Sequence, residues 1–372
     1  MSSISFLHSP GEFFDELISL ANSAKRRIVI ATLYVGTGER EQRWLSTINA
    51  AGVPTKILLD ANRGNRGGDI SSVSVIKKLV PHAVIFQFVS PLFRGLWRIL
   101  PQRAKECVGT QHMKFVLVDD TVIVTGANLS ETYFTDRQDR YLVVRDCAQL
   151  AEFLVKQVEA MQGVKGVERT FQDLLPSTSL SVSRQRGYLC GGEDDGVTNR
   201  ILEKYFQPNT SITLSSPYLN LSASVLGRLA KFADVSIVTG ARATNAFHNS
   251  KGLSRFIPEA YEILKQDLLS AYPQFKLFEY SRPNWSFHPK GIWVTRQGEV
   301  HATVIGSSNF GQRSHYRDSE INFMLETENE ALRRAMKREI DEIMLHSKRV
   351  YHTPNSPRWL QWLVRGPLRT FL

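Results

Sequence analysis

The sequence predicts an α/β protein built from two similar lobes, each with a mixed sheet flanked by helices. Strand-like and helix-like segments alternate along the 372 residues, and such alternation is typical of sheets covered by helices. The order of segments then repeats once, and one polar pattern recurs at the same place in both halves. A chain of this length also exceeds what one small core usually holds. We therefore expect two fused lobes with an active site at their interface.

The first half carries four helices and five strands, as judged by apolar periodicity. The helices are expected at residues 10–24, 39–51, 69–80 and 147–162, and the strands at 27–34, 54–60, 83–89, 112–118 and 121–126. These segments assign residues 1–165 to an N-terminal lobe. Residues 166–186 contain Gly166, Pro176 and a Ser/Thr-rich run, a composition typical of a linker.

The second half repeats this order of elements. The helices are expected at residues 194–206, 221–233, 257–270 and 328–346, and the strands at 210–216, 234–239, 275–280, 287–295 and 300–306. Tyr34 and Tyr218 follow the first strands of the two halves at equivalent places, which favours an internal duplication. We assign residues 187–347 to a C-terminal lobe and residues 348–372 to a basic, aromatic C-terminal segment.

The recurring polar pattern combines a His and a Lys two residues apart with a later Asn. Its members are His112, Lys114 and Asn128 in the first half, and His288, Lys290 and Asn309 in the second. Residues two apart on a strand point to the same face, so each His and Lys is expected to project together. One such set is a weak signal. Two ordered sets predict a single site with a pair of imidazoles at its centre.

These residue types suit chemistry at phosphorus. An imidazole attacks phosphorus or moves a proton near neutral pH, and Lys and Asn side chains stabilise the charge on non-bridging oxygens. Two facing sets supply one His to attack and one to protonate the leaving group, so we expect neither metal nor cofactor. Each imidazole needs an orienting acid, and the candidates are Asp139 and Glu320.

Asp119 is a further candidate, because it follows Lys114 by five residues and completes the first motif. Thr295 takes the corresponding place in the second half, where the spacing from His to Asn is also longer. An acid that only one half keeps is a poor candidate for a role shared by both. We therefore interpret Asp119 as a turn residue and keep a catalytic role as the alternative.

The formal net charge of +10 is concentrated in two segments. Residues 91–105 contribute +4 and residues 331–372 contribute +6, so the rest of the chain is balanced. Both segments place aromatic residues between basic ones, which is typical of contact with an anionic membrane surface. The residues expected there are Arg94, Trp97, Arg98, Trp359 and Trp362. A nucleic-acid patch or an ordinary solvated helix has a similar composition, and both stay open at this point.

Other features exclude some classes of protein. No run approaches 18 apolar residues, so no segment reads as a membrane span. The three Cys residues are widely spaced, which argues against a structural zinc site and favours a reducing compartment. We expect no targeting segment among the first residues, and whether such a segment was removed ahead of them stays open.

The segments around both motifs resemble the phospholipase D superfamily, whose paired His-x-Lys and Gly-x-Asn or Gly-x-x-Asn motifs assemble one metal-independent site. Within it, five segments look like the eukaryotic mitochondrial phosphatidylglycerophosphate synthases, which are CDP-diacylglycerol–glycerol-3-phosphate 3-phosphatidyltransferases. These are residues 32–38 (TLYVGTG), 126–130 (GANLS), 133–141 (YFTDRQDRY), 287–293 (FHPKGIW) and 305–311 (IGSSNFG). That family also lacks the Asp of the second motif.

The resemblance implies transfer of a phosphatidyl group from CDP-diacylglycerol to sn-glycerol 3-phosphate, with release of CMP. It implies a phosphatidyl-histidine intermediate, with His112 as nucleophile and His288 as general acid and base, although symmetry leaves the reverse assignment open. The Lys and Asn side chains of both motifs would clamp the phosphate. The family also implies a place at the periphery of the mitochondrial inner membrane.

An acceptor that carries its own phosphate needs a second cationic cradle. The candidates for substrate binding are Arg63, Arg66, Thr37, Gly38 and Arg313. Two alternatives stay open: a phosphatidylserine synthase-like transferase, and a phosphodiesterase or nuclease of the superfamily. The charge is gathered in two amphipathic segments rather than spread along a groove, so we favour a lipid substrate and expect no nucleic-acid partner. The oligomeric state is left open.

Overall fold

The computed structural model describes residues 2–90, 109–160, 167–186, 196–245, 248, 252–352, 356–369 and 372. The predicted membrane-contact residues Arg94, Trp97 and Arg98 lie outside these ranges. The described part consists of two large mixed sheets flanked by helices, so the predicted fold class is confirmed.

The first sheet has seven strands. They are β1 (Ser3–Leu7), β2 (Ile28–Ala31), β3 (Thr55–Asp60), β4 (Val84–Phe88), β5 (Phe115–Val118), β6 (Thr121–Thr125) and, after the short β7 (Arg137–Gln138), β8 (Tyr141–Arg145). Their order is β1-β8-β6-β5-β2-β3-β4. Strands β2, β3 and β4 are parallel, and the other neighbours pair antiparallel.

The second sheet has nine strands and repeats the first. Together with the short β14 (Ser286–Phe287), the strands of this half are β9 (Val167–Leu175), β10 (Thr178–Arg186), β11 (Thr210–Ser215), β12 (Asp234–Gly240), β13 (Lys276–Tyr280), β15 (Gly291–Arg296), β16 (Glu299–Gly306), β17 (Ser319–Thr327) and β18 (Ser347–Val350). The order is β18-β13-β12-β11-β15-β16-β17-β10-β9. The seven strands from β13 to β10 match those from β4 to β1 in order and direction, which supports the predicted duplication.

The linker predicted at residues 166–186 is wrong. Residues 167–186 form the hairpin β9–β10 at the edge of the second sheet, and β10 pairs antiparallel with β17 as β1 pairs with β8. Strand β10 is therefore the opening strand of the second repeat. Its Leu180 and Val182 are fully buried, so the alternation of apolar and Ser residues was the relevant signal. The remaining lobe boundaries stay predictions.

Helices cover both sheets. They are α1 (Pro10–Ser23), α2 (Glu39–Ala51), α3 (Ala61–Gly64), α4 (Ser72–Leu79), α5 (Glu131–Thr135), α6 (Ala148–Glu159), α7 (Gly196–Lys204), α8 (Ala223–Leu229), α9 (Ile257–Ala271), α10 (Gln312–Tyr316), α11 (Glu330–Leu345) and α12 (Arg358–Arg365). Several begin at a capping side chain, because the first amides of a helix lack partners within it. Ser9, Ser71 and Asn329 each accept a hydrogen bond from an amide in the first turn of α1, α4 and α11.

The sheets are packed between three apolar layers. Helices α1, α2 and α4 cover the outer face of the first sheet, and α7, α8 and α9 cover that of the second. The inner faces of both sheets share one core with α6 and α11. Strand β5 shows this arrangement, because Phe115 enters the shared core and Val116 the outer one. The two lobes therefore fold against each other through a continuous apolar interface.

A buried ion pair fixes the lobes across this interface. The guanidinium of Arg140, from the first lobe, makes two hydrogen bonds to Glu339 of α11, at 2.8 and 2.7 Å. It also donates to the carbonyl of Val304 (2.7 Å) and lies 3.9 Å from the ring centroid of Trp293. A Cβ added to Gly291 would overlap this guanidinium, so the glycine makes room for it.

We expect the Glu339→Ala variant to lower the free energy of unfolding by about 3–5 kcal/mol, because it leaves the Arg140 charge buried without its partner. Urea denaturation of purified protein measures this change. Glu342→Ala, on the same helix, is the matched control. Glu342 is exposed and lies 3.5 Å from His8, so its loss is expected to cost less than about 1 kcal/mol. Equal stability of the two variants would show that Arg140 does not bind the lobes together.

Candidate active site

Both His-x-Lys motifs lie in extended segments directly before β5 and β15, not inside strands as predicted. The segments leave their own sheets because each pairs with the other lobe. The amide of His112 donates to the carbonyl of Ser319 (2.9 Å), and the amide of His288 donates to the carbonyl of Gln138 (2.9 Å). Each lobe thus holds the motif of the other.

The imidazole of His112 is oriented by a carboxylate from the second lobe. Its Nδ1 lies 3.0 and 2.9 Å from the two oxygens of Glu320, a fully buried residue of β17. Burial and the nearby Lys114 ammonium lower the pKa of His112, against the opposing effect of Glu320. A proton held on Nδ1 leaves Nε2 with the free lone pair. Within the described part of the chain, no group forms a hydrogen bond to that Nε2.

The imidazole of His288 has the mirrored arrangement. Its Nδ1 lies 2.6 Å from Oδ2 of Asp139, which comes from the first lobe. Burial, with the charges of Lys290 and Arg137, places the pKa of His288 well below its usual value. Burial also raises the pKa of Asp139 to about 6. Unlike His112, this imidazole is bound on both sides, because its Nε2 lies 3.1 Å from the hydroxyl of Tyr133.

The two motif lysines are buried beside the imidazoles. Lys114 Nζ donates to the carbonyl of His112 (2.8 Å), and Lys290 Nζ donates to the carbonyl of His288 (3.0 Å). Burial lowers the pKa of Lys114 to about 7 and that of Lys290 to about 8. Both ammonium groups therefore lose their proton at a lower pH than a surface lysine does. A bound anion would raise both pKa values again, because a nearby negative charge favours the protonated form.

The motif asparagines complete the site. In each of Asn128 and Asn309, the side-chain Oδ1 is buried without a hydrogen-bond partner among the described residues. Nδ2 of Asn128 donates to the hydroxyl of Tyr133 (3.1 Å). Buried polar atoms without partners are rare in folded proteins, and at such a position they are typical of a ligand site.

Glycine allows the two halves to meet at this point. A Cβ on Gly126 would lie 2.8 Å from Oδ1 of Asp139, 3.2 Å from Lys290 Nζ and 3.2 Å from the carbonyl oxygen of Gly306. The ends of β6 and β16 therefore approach each other at their glycines. This close approach accompanies the convergence of the motif histidines and lysines, since the charges of Lys290, Asp139 and Glu320 all act on Lys114.

A family model described as "Cardiolipin synthase, PLD-like domain" matches residues 17–161. The chain is 30% identical to the mitochondrial CDP-diacylglycerol–glycerol-3-phosphate 3-phosphatidyltransferases of Cricetulus griseus and Homo sapiens, over 93% of this chain and 78% of each relative. The chain belongs to this family of phosphatidyltransferases. It is also 28% identical to the Saccharomyces cerevisiae enzyme of that name, over 93% of this chain and 82% of the relative.

A solved structure shares the fold of this phosphatidyltransferase family member over nearly its whole length. The phosphatidylserine synthase of Haemophilus influenzae matches with a TM-score of 0.78 at 19% identity, covering 99% of this chain and 95% of that one. At this identity the likeness concerns the fold alone. It agrees with the two-lobed phospholipase D-like architecture that the sequence predicts.

The site residue that sequence reasoning missed is Tyr133, and the phosphatidyltransferase repeat shows why it stands apart. The predicted orienting acids keep equal spacing in the two halves, since Asp139 follows Asn128 by 11 residues and Glu320 follows Asn309 by 11. Five residues after each Asn, however, the halves differ. Tyr133 stands in the first half, and Ser314, whose hydroxyl accepts a hydrogen bond from the amide of Asn309, stands in the second. The hydroxyl of Tyr133 is one contact that makes the two imidazoles unequal, and the other is Lys290 Nζ, which lies 2.8 Å from Nδ1 and 3.2 Å from Nε2 of His288.

Asp119 lies at the opposite end of β5 from the motif, so the structure corrects its place among the catalytic candidates. With φ of 54° it forms the turn between β5 and β6. Its carboxylate accepts hydrogen bonds from the amides of Lys25, Arg26 and Arg27 at 2.7–3.0 Å. In the second half, the residue at the same place in the hairpin turn is Gln297, at φ of 51°, and not Thr295. The spacing differs because the strands of hairpin β15–β16 are longer, whereas the turn is not.

Ligand-type atoms of His112, Asp318 and Glu320 lie within 4.8 Å of one another, a spacing that can hold a metal ion. The carboxylates are already bound by donors. Asp318 accepts from Thr110 (2.9 and 3.0 Å) and from Arg313 Nε (2.9 Å), and Glu320 accepts from Ser307 as well as lying against His112. The oxygens of both carboxylates thus already have hydrogen-bond donors in the places that a metal ion would take. The absence of a metal requirement stays a prediction.

The predicted substrate-binding residues lie at different places around this site. The guanidinium of Arg63 lies 4.7 Å from the ring centroid of Tyr34, and its charge, like that of Arg313, acts on Tyr218. The ring of Tyr218, on which both charges act, lies 6.1 Å from that of His288.

The other predicted substrate-binding residues are more peripheral. Arg66 is exposed after α3. Thr37 and Gly38 lie at the start of α2, where the carbonyl of Thr37 accepts from Gln42 and Gly38 is the capping position. The adjacent Gly36 amide donates to the carbonyl of Leu129, next to Asn128. Their contact with substrate stays a prediction.

Proposed function

We propose that this chain transfers the phosphatidyl group of CDP-diacylglycerol to sn-glycerol 3-phosphate, giving phosphatidylglycerophosphate and CMP. The observation that carries this proposal is the pair of imidazoles, each oriented by a carboxylate of the other lobe, in a chain of this transferase family. A single nucleophile and a single acid–base group are what a two-step group transfer needs. The relatives' names supply the donor and the acceptor.

In the first step, Nε2 of His112 attacks the phosphorus that bears diacylglycerol. The bond from that phosphorus to the bridging oxygen breaks, CMP leaves, and His288 supplies the proton. The negative charge of the bound donor lets His288 hold this proton, against the burial that lowers its pKa in the chain alone. His112 suits the attack because its Nε2 carries no hydrogen bond within the described residues, whereas Nε2 of His288 lies against Tyr133. The ammonium groups of Lys114 and Lys290 stabilise the charge on the non-bridging oxygens.

In the second step, the primary hydroxyl of glycerol 3-phosphate attacks the same phosphorus. His288, now neutral, takes the hydroxyl proton, and the bond from phosphorus to His112 breaks. Asp139 and Glu320 hold both imidazoles in the required tautomers throughout. We assign Arg63 and Arg313 to the negative charge of the substrates, because both act on Tyr218 beside His288.

A transfer assay with purified protein tests this function. CDP-diacylglycerol in mixed micelles and labelled glycerol 3-phosphate should give labelled lipid and equimolar CMP, and excess EDTA should leave the rate unchanged. Labelled serine and water replace the acceptor in parallel reactions. Lipid product with serine alone, or cleavage of DNA with no lipid product, would contradict the proposal.

We further propose peripheral contact with an anionic membrane at the mitochondrial inner membrane; the relatives' names support the mitochondrial part of this proposal. Helix α12 is amphipathic: Leu360 and Val364 are buried against α9, whereas the side chains of Trp359 and Trp362 are 52% and 71% exposed. Exposed Trp beside Arg358 and Arg365 is typical of an interfacial helix. Across the described residues, no helix combines the length and apolar character needed to span a bilayer.

We expect Trp362→Ala to weaken binding to vesicles of anionic lipid about tenfold or more, because insertion of one large apolar side chain contributes on the order of 2 kcal/mol. Sedimentation with vesicles of increasing anionic content measures the change. Leu345→Ala is the control, since Leu345 is 79% exposed at the end of α11, outside α12. Equal sedimentation of the two variants would assign membrane contact elsewhere.

A further inference from the structure

A polar cleft of about 600 Å³ opens between the two lobes. Arg137 lines it from the first lobe, and Asn245, His248, Arg282 and Trp285 line it from the second. We call it the inter-lobe cleft. Its volume lies within the range of small-molecule sites in proteins. None of these residues was predicted to bind substrate, although Arg137 stands in the family-like segment 133–141.

Two arginines of the inter-lobe cleft are bound by neutral groups. Arg137 Nε donates to Ser286 Oγ (2.9 Å), and its guanidinium lies 4.5 Å from the ring centroid of Tyr133. The guanidinium of Arg282 lies 3.6 Å from the ring centroid of Trp285. Neither forms an ion pair with a carboxylate in the described ranges of the chain.

The acid content of the inter-lobe cleft is low. Its lining contains one carboxylate, that of the exposed Asp136. Residues 246–251, which follow Asn245 in the sequence, include no Asp or Glu. Two cations and one exposed acid leave a net positive site. Arginine forks held by aromatic rings are pre-organised for phosphate oxygens.

The inter-lobe cleft adjoins the imidazole that we assign to acid–base chemistry. The ring that Arg137 covers, Tyr133, lies 5.0 Å from the ring of His288, and its hydroxyl lies 3.1 Å from His288 Nε2. The charge of Arg137 also lowers the pKa of His288. A group bound by Arg137 is therefore separated from Nε2 of His288, the proposed proton donor and acceptor, by the ring of Tyr133.

We propose that the inter-lobe cleft binds phosphomonoester dianions and serves twice in each turnover, with Arg137 and Arg282 as its ligands. This rests on the proposed function. In the first step it receives the phosphate of departing CMP, and in the second it receives the phosphate of glycerol 3-phosphate. CMP and glycerol 3-phosphate occupy the same side of the site, because His288 protonates the departing CMP and later deprotonates the hydroxyl of glycerol 3-phosphate. No bond forms or breaks in the inter-lobe cleft itself.

Binding and kinetics of Arg137→Gln and Arg282→Gln test the proposal. Calorimetric titration with CMP gives its Kd, and initial rates give the KM for glycerol 3-phosphate. We expect each substitution to raise both constants by about tenfold or more, and in parallel, as loss of a charge-assisted hydrogen bond predicts. Arg137→Lys keeps the charge without the fork and should give an intermediate increase. Arg334→Gln, an exposed arginine of α11, is the control and should match the unaltered chain.

A merely structural role of Arg137 would lower thermal stability and kcat without moving the two constants together. A change in only one constant would show that CMP and the acceptor use separate sites, and no change in either would exclude Arg137 as a ligand. Both outcomes overturn the proposal. Failure of the proposed function is distinguishable, because the unaltered chain would then form no labelled lipid although CMP binding is still measured.

Discussion

Replacement of either motif histidine by alanine is expected to lower the rate of phosphatidyl transfer by about 10⁴-fold or more. Loss of His112 removes the proposed nucleophile, and loss of His288 removes the group that protonates CMP and activates the acceptor. Release of CMP and formation of labelled lipid measure both steps in the same reaction. His82→Ala is the control, because His82 is exposed and lies next to β4, outside the site.

The two variants should differ in what they retain. With donor labelled in the phosphatidyl group, only His288→Ala keeps the nucleophile and is expected to accumulate labelled protein, with an acid-labile phosphorus–nitrogen bond. Label on His112→Ala instead would reverse the assignment of the two imidazoles. Appreciable turnover by either variant would refute a mechanism that needs both.

Asp139→Asn and Glu320→Gln are expected to lower kcat by about 10³- to 10⁴-fold while the protein stays folded. An amide of the same shape no longer stabilises the imidazolium and favours the wrong tautomer. Circular dichroism verifies folding, and the transfer assay measures kcat. Asp341→Asn, an exposed acid of α11, is the control. Near-normal rates in both variants would show that the carboxylates are structural.

The pH dependence should report the same groups. Burial raises the pKa of Asp139 to about 6, so its carboxylate is lost as the pH falls through that value and kcat/KM should decline. Burial lowers the pKa of Lys114 to about 7 and that of Lys290 to about 8, so their charge is lost as the pH rises. We therefore expect a bell-shaped profile, and Asp139→Asn should lack its acid limb. A limb that persists in Asp139→Asn would assign it to another group.

The sequence was sufficient for the features that depend on local pattern. Helix α2 begins and ends where predicted, at Glu39–Ala51, because its apolar positions follow helical spacing and Gly52 takes the left-handed conformation after it. The two motifs were predicted to converge, and Asp139 and Glu320 were named as orienting acids. The structure brings the two His, the two Lys and both acids together, and their catalytic roles stay predictions.

What the sequence could not supply depends on how the lobes dock. That each imidazole is oriented by the other lobe's carboxylate follows from the pairing of His112 with Ser319 and of His288 with Gln138, which no local pattern records. Strands such as β17 escaped prediction because eight of its nine residues are buried, so it lacks alternation. The inter-lobe cleft could not be predicted either, because its two arginines belong to separate lobes and meet only when the lobes dock.

The unequal fifth position after each motif Asn has a consequence for how such a site can evolve. In an assembly of two identical subunits, the same residue would stand beside both imidazoles, and any change would alter both. Two lobes in one chain remove that constraint. One half can keep a tyrosine against His288 while the other keeps a serine that only supports the main chain. Joining the lobes thus permits division of labour between two histidines that are each oriented by a carboxylate of the other lobe.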